Sequence, residues 1–208
     1  MTTHSSRRPF GGLFITLALA LSLVLTACAD EDYVPAGIIR TPAPDVSALL
    51  LPDVTNNVDI PIVAPEDGLL ILYFGYTYCP DVCPTTMSVL RRAMRELGDD
   101  AERIDVAMVT VDPDRDTSET LTAYVHAFAP DGFAVRTTDA DLLAEIAEPF
   151  GAKYSVSTRD DGYVEVVHTG FLYAIDDQGL LRITWPFGID SDSVYKDMNA
   201  LLKEYDNA

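Results

Sequence analysis

Two cysteines separated by three residues, in Tyr78-Cys79-Pro80-Asp81-Val82-Cys83-Pro84, are the side chains in this sequence best suited to chemistry. At i and i+4 on a helix their Cβ atoms would lie about 5 to 6 Å apart, one turn from each other. Two sulfurs so placed can converge on one ion, close as a disulfide, or work as a thiol redox pair. Thiolates are soft ligands and select Cu(I) or Zn. Few further soft ligands exist: the third cysteine is Cys28, and the histidines are His4, His126 and His168. Cys79, Cys83 and His168 make three ligands, a number that suits Cu(I) better than structural zinc, which usually takes four. Asp81 and Asp112 could complete a harder site for Cu(II), or serve only to cap and hydrogen-bond. His126 flanks a helical stripe of Leu121, Val125 and Phe128 and reads as structural.

The elements that must position these residues follow from periodicity. Leu69 to Gly75 is an unbroken apolar run ended by Gly, as expected of a strand buried on both faces. Met87, Leu90, Met94 and Leu97 recur at helical spacing behind it, with Arg91, Arg92 and Arg95 free to point outward. The cysteine motif thus stands beyond a strand and at the entry to a helix, where ligands gather in open α/β sheets and where a helix N-terminus favours thiolate. Ile104 to Val111 predicts a second buried strand, and Asp116 or Thr117 can cap a helix reaching about Phe128. Asp139 starts another helix to about Phe150. Lys153 to Thr158 with Gly162 to Val167, and Phe171 to Ile175 with Leu180 to Trp185, read as two hairpins before a last helix from Ser191 to about Tyr205. This pattern predicts an α/β, thioredoxin-like central sheet with flanking helices and an inserted β-hairpin.

The N-terminal part reads differently. Arg7 and Arg8 precede an apolar run from Phe10 to Leu25, the length of a signal-peptide core, which ends in Leu25-Thr26-Ala27-Cys28. That ending resembles the bacterial lipobox and predicts a lipoprotein signal peptide over residues 1–27, with lipidation of Cys28. Two or three acyl chains would anchor the chain stably at the bacterial cell membrane, with the folded part on the extracytoplasmic face. Six prolines and scattered acids between Ala29 and Pro65 predict a Pro-containing acidic tether over residues 28–65, leaving residues 66–208 as the domain. The formal net charge of -19 repels phosphate backbones and excludes nucleic acid as a natural partner.

Three stretches, in order, resemble the Sco (SenC/PrrC) family of copper chaperones. They are Phe74-Gly75-Tyr76-Thr77-Tyr78-Cys79-Pro80-Asp81-Val82-Cys83-Pro84, Val111-Asp112-Pro113-Asp114-Arg115-Asp116-Thr117, and His168-Thr169. The resemblance covers about residues 69 to 205. It implies a thioredoxin-like fold in which Cys79, Cys83 and His168 bind copper. It also implies delivery of copper to cytochrome c oxidase subunit II, or reduction of the cysteines of its Cu(A) site, with another membrane-bound copper acceptor as the variant reading. Tyr78 departs from the pattern, because many members carry His before the first cysteine. The competing reading is a membrane-tethered thiol-disulfide oxidoreductase using Cys79 and Cys83. Its weakness is the three-residue spacing, where such enzymes typically have two, and a peroxidase is weaker still because no Arg is near the motif in sequence.

Overall fold

The computed structural model describes residues 1–3 and 33–207. The chain divides into two units, Met1–Val34 and Pro35–Ala208, and every helix and strand among the described residues belongs to the second. The centre of that unit is a parallel trio, β4 (Leu69–Gly75), β5 (Ile104–Thr110) and β6 (Phe133–Val135). All seven residues of β4 are buried, as an apolar run covered on both faces requires. On one side β9 (Leu172–Ile175) runs antiparallel to β4, followed by β10 (Leu181–Trp185) and β1 (Ile38–Ile39); on the other, β2 (Leu50–Asp53) and β3 (Val58–Pro61) extend β6. The full order is β1-β10-β9-β4-β5-β6-β2-β3. A separate two-stranded sheet pairs β7 (Tyr154–Thr158) with β8 (Val164–His168).

Among the described residues four α-helices accompany these strands: α1 (Val82–Leu97), α2 (Ser118–His126), α3 (Ala140–Ala147) and α4 (Ser191–Asp206). On α1 the stripe of Met87, Leu90 and Leu97 is buried while the three arginines are exposed, as the spacing predicts. Thr117 caps α2 in a reciprocal capping box with Thr120, and Asp139 caps α3 through the N–H groups of Asp141 and Leu142. Helix α3 is shorter than expected, because a 3-10 turn over Glu148–Phe150 with Pro149 inside it replaces the last α-helical turn. Both expected hairpins form within a residue or two of their predicted limits.

The tether expected over residues 28–65 is corrected by the structure from Pro35 onward. Residues 38–61 supply three strands, and Val46, Leu51 and Ile62 are fully buried in the core. Pro52 and Pro61 are tolerated because they lie at the sheet margin, where a missing N–H costs little. The entry of the segment is fixed by Asp197, a fully buried carboxylate on α4. It accepts hydrogen bonds from the N–H groups of Ala36 (3.0 Å) and Gly37 (2.8 Å) and from the indole of Trp185 (2.7 Å). A side chain at residue 37 would collide with Ile183 and Trp185, so the close approach needs glycine. The expected signal peptide and Cys28 lie outside the described residues.

Candidate metal centre

Strand β4 delivers the chain to the loop 76–81, and α1 begins directly after it. Cys79 stands before the helix and Cys83 in its first turn; both are buried and free of any disulfide. Asp81 occupies the cap position of α1, yet its side chain bonds no backbone N–H and instead accepts from the Thr85 hydroxyl (3.3 Å). The sulfur of Cys79 takes the place of a cap, accepting the N–H of Cys83 at 3.2 Å. An N–H in the first turn of a helix has no partner within the helix, and here the Cys79 sulfur supplies one.

His168 closes the site from the end of β8. The ligand atoms of Cys79, Cys83 and His168 all lie within 4.8 Å of one another, with Nε2 of His168 at 3.4 Å from Sγ of Cys83. Nδ1 lies 3.2 Å from the carbonyl of Thr169; an N–H there donates to that oxygen, which leaves the Nε2 lone pair facing the sulfurs. Burial holds the imidazole pKa below its ordinary value, against the opposing effect of the Thr169 and Phe74 backbones, so the ring is a neutral ligand at pH 7. The edges of Tyr73 and Tyr76 frame it, with ring centroids 6.1 and 5.6 Å away. Residue 170 must be small here, since a Cβ would meet Val82 at 2.9 Å.

Burial pushes the Cys83 thiol up to about 12, with Tyr73 and the Tyr76 backbone offsetting only part of it. Without metal this group therefore keeps its proton, and a soft cation must displace that proton to bind. Beneath it the hydroxyl of Tyr73 is wholly buried and makes no hydrogen bond of ordinary length. Burial first, and the neighbouring Cys83 next, hold that phenol far above its usual pKa. Beside the three ligands a cavity of about 330 Å³ opens, lined by Tyr76, Pro80, Val82, Val166 and Val167 among others, so the site is reachable from its rim.

The loop is held from below by Asp116, within the Asp112–Thr117 stretch. Asp116 is fully buried and accepts the Thr77 N–H (3.0 Å), the Thr77 hydroxyl (2.5 Å) and the Thr110 hydroxyl (2.6 Å). Arg136 donates to the Asp116 and Pro113 carbonyls, fixing the same turn. Asp112 is also buried, but it pairs with Arg115, whose guanidinium lies 5.0 Å from the Tyr78 ring centroid and 5.9 Å from that of Tyr76. Neither Asp81 nor Asp112 joins the ligand cluster. Asp81 accepts from the Thr85 hydroxyl and Asp112 pairs with Arg115. His126 is separate from the site, with Nε2 at 3.2 Å from the Gly132 carbonyl.

Residues 64–203 match the sequence model of SCO1/SenC. The chain belongs to the SCO1/SenC family. Among relatives of this family, the SCO2-like protein RP587 of Rickettsia prowazekii is 34% identical over 113 residues, covering 53% of this chain and 55% of that protein. The chain spans about half the length of the curated relatives it matches. The apo Sco1 protein of Thermus thermophilus superposes with a TM-score of 0.71 at 30% identity, over 82% of this chain and 99% of that one. The ScoI protein of Bradyrhizobium japonicum, solved with copper bound, shares the fold with a TM-score of 0.64 at 24% identity, over 76% and 98%. The thioredoxin-like class expected for this Sco chain is thereby shown.

Proposed function

We propose that this chain is a copper carrier that holds Cu(I) between the two sulfurs of Cys79 and Cys83 and Nε2 of His168. One observation carries the reading: two free thiols and a neutral imidazole lone pair, all within 4.8 Å, on a rim open to a partner. Two soft sulfurs with one nitrogen and no carboxylate in reach match a monovalent soft ion. The copper bound by the Bradyrhizobium japonicum relative supports the choice of metal. The metal goes to the Cu(A) site of cytochrome c oxidase subunit II, or the thiols reduce the cysteines of that site. Lipidation at Cys28 holds the protein on the extracytoplasmic face of the bacterial membrane, which raises its local concentration around an acceptor fixed in the same bilayer.

The thiol-disulfide oxidoreductase remains the second reading, favoured by two free cysteines close enough for the Cys83 N–H to reach the Cys79 sulfur at 3.2 Å. A Cys79–Cys83 disulfide would consume both sulfur ligands, so the two activities exclude each other at any instant. Anaerobic titration of the reduced full chain with Cu(I), against a competing chelator, separates them. The carrier reading expects tight binding that Cys79→Ala and Cys83→Ala each abolish. Unchanged copper affinity in either variant, or thiol exchange without copper binding, would assign the site to redox chemistry.

A further inference from the structure

The chain carries 33 acidic and 14 basic side chains, so three cations gathered on one helix face stand out. The ion pairs among the described residues engage Arg103, Arg115, Arg159, Arg182 and Lys196. Arg91, Arg92 and Arg95 take part in none of them. All three are exposed on α1, with Arg91 and Arg95 one turn apart and Arg92 beside them. Arg91 uses one N–H on the Ala127 carbonyl (3.2 Å) and keeps the rest of its fork free.

These guanidinium groups line a groove of about 640 Å³ between α1 and the start of α4, together with Pro84, Ser88 and Ser191. The only carboxylate on its wall, Asp190, is turned to the N–H and hydroxyl of Ser193, both at 2.9 Å. The groove begins at Pro84, the residue after the ligand Cys83. It ends at Arg95, roughly 16 Å farther along the helix at 1.5 Å per residue. We propose that this groove docks an acidic segment of the protein that exchanges metal with the site. Cationic side chains spread along a concave wall match successive carboxylates of an extended chain. An anionic bilayer would instead face the whole acidic surface, at net charge -19, before it reached them. Charges so placed set the orientation and rate of encounter. The partner's task rests on the copper-carrier reading; the preference of the groove for carboxylates does not.

Fluorescein-labelled hexaglutamate, titrated by anisotropy into the reduced full chain in nonionic detergent, tests the proposal. We expect salt-sensitive binding that weakens at least about tenfold when Arg91→Gln, Arg92→Gln and Arg95→Gln are combined, while Lys153→Gln with Lys203→Gln has no such effect. The triple variant should keep the copper affinity of the parent. Equal peptide binding by parent and triple variant, or none by either, would overturn the proposal. So would binding of phosphatidylglycerol vesicles, lost in the triple variant, in preference to the peptide. If neither protein takes up copper, the carrier reading fails while the peptide result stands by itself.

Discussion

The two halves of the metal centre are built on unlike supports. Cys79 and Cys83 hang from the most buried part of the molecule: β4 has no exposed residue, Cys83 is fully buried, and Asp116 ties the loop to β5 with three donors. His168 ends a two-stranded sheet that stands outside the main one, with Val156, Tyr163 and Val167 exposed. A lone hairpin is marginally stable in water and opens at low cost, whereas buried central strands open only near the global free energy. The difference teaches a division of labour. The sulfurs sit on the buried seat, and the imidazole of the proposed site sits on the less buried hairpin, whose Tyr154 and Val166 pack on the core.

Breaking the fixed half should have the largest effect. Asp116→Ala leaves the Thr77 N–H and two hydroxyls without an acceptor in a buried place, and the loss of these charge-assisted bonds should cost about 3 kcal/mol or more. For a domain of this size that lowers the thermal midpoint by about 6 to 12 °C. A melting curve shifted by less than about 2 °C would show that the loop is held by something else.

Breaking the arm should matter less to the fold and more to the metal. His168→Ala should weaken Cu(I) binding by about ten- to a hundredfold, the loss of one ligand of three, with a midpoint change of only a few degrees. His126→Ala should leave copper untouched, since its ring bonds a distant carbonyl. Equal losses in the two variants, measured by chelator competition, would remove the imidazole from the site.

At neutral pH the smallest effect comes from the Cys83 thiol, whose pH dependence is confined to alkaline solution. The folded chain holds the Cys83 proton up to about 12, above the ordinary thiol value of about 8.5. The folded state therefore binds more protons than the unfolded one between those values. Its stability is complete below about pH 8.5 and falls as pH rises toward 12, by at most about 1.4 kcal/mol per unit. Reduced, copper-free Cys83→Ser lacks this buried thiol and should show a flatter decline in denaturant melts from pH 8 to 11. Parallel curves for the two proteins would mean that the thiol is not buried as described.

What the sequence disclosed and what it hid divide along physical lines. Long periodic stretches were legible: the apolar run of β4, the stripe on α1 and the caps at Thr117 and Asp139 all lie where the pattern puts them. The cluster of Cys79, Cys83 and His168 was legible because soft side chains are so few. Strands β1, β2 and β3 were not, since prolines and acids at a sheet margin look like those of a linker; the apolar Leu49-Leu50-Leu51 and Ile60 to Val63 were the signal to heed. Strand β6, at three residues, is too short for any period to show. The roles of Asp116 and Arg115 were hidden by distance along the chain. Asp116 meets Thr77 across 39 residues, and Arg115, absent from the cysteine motif in sequence, reaches Tyr78 in space. Of the two residues able to cap α2, Thr117 does the capping and Asp116 reaches across to the metal loop.

The central claim is that two fixed sulfurs and one imidazole on a separate arm hold the metal. X-ray absorption at the copper edge of the Cu(I)-loaded full chain, with and without His168→Ala, tests it most directly. The account predicts two sulfur scatterers and one nitrogen in the parent, and the same two sulfurs without the histidine nitrogen in the variant. A first shell lacking sulfur, or a histidine signal that survives His168→Ala, would contradict it.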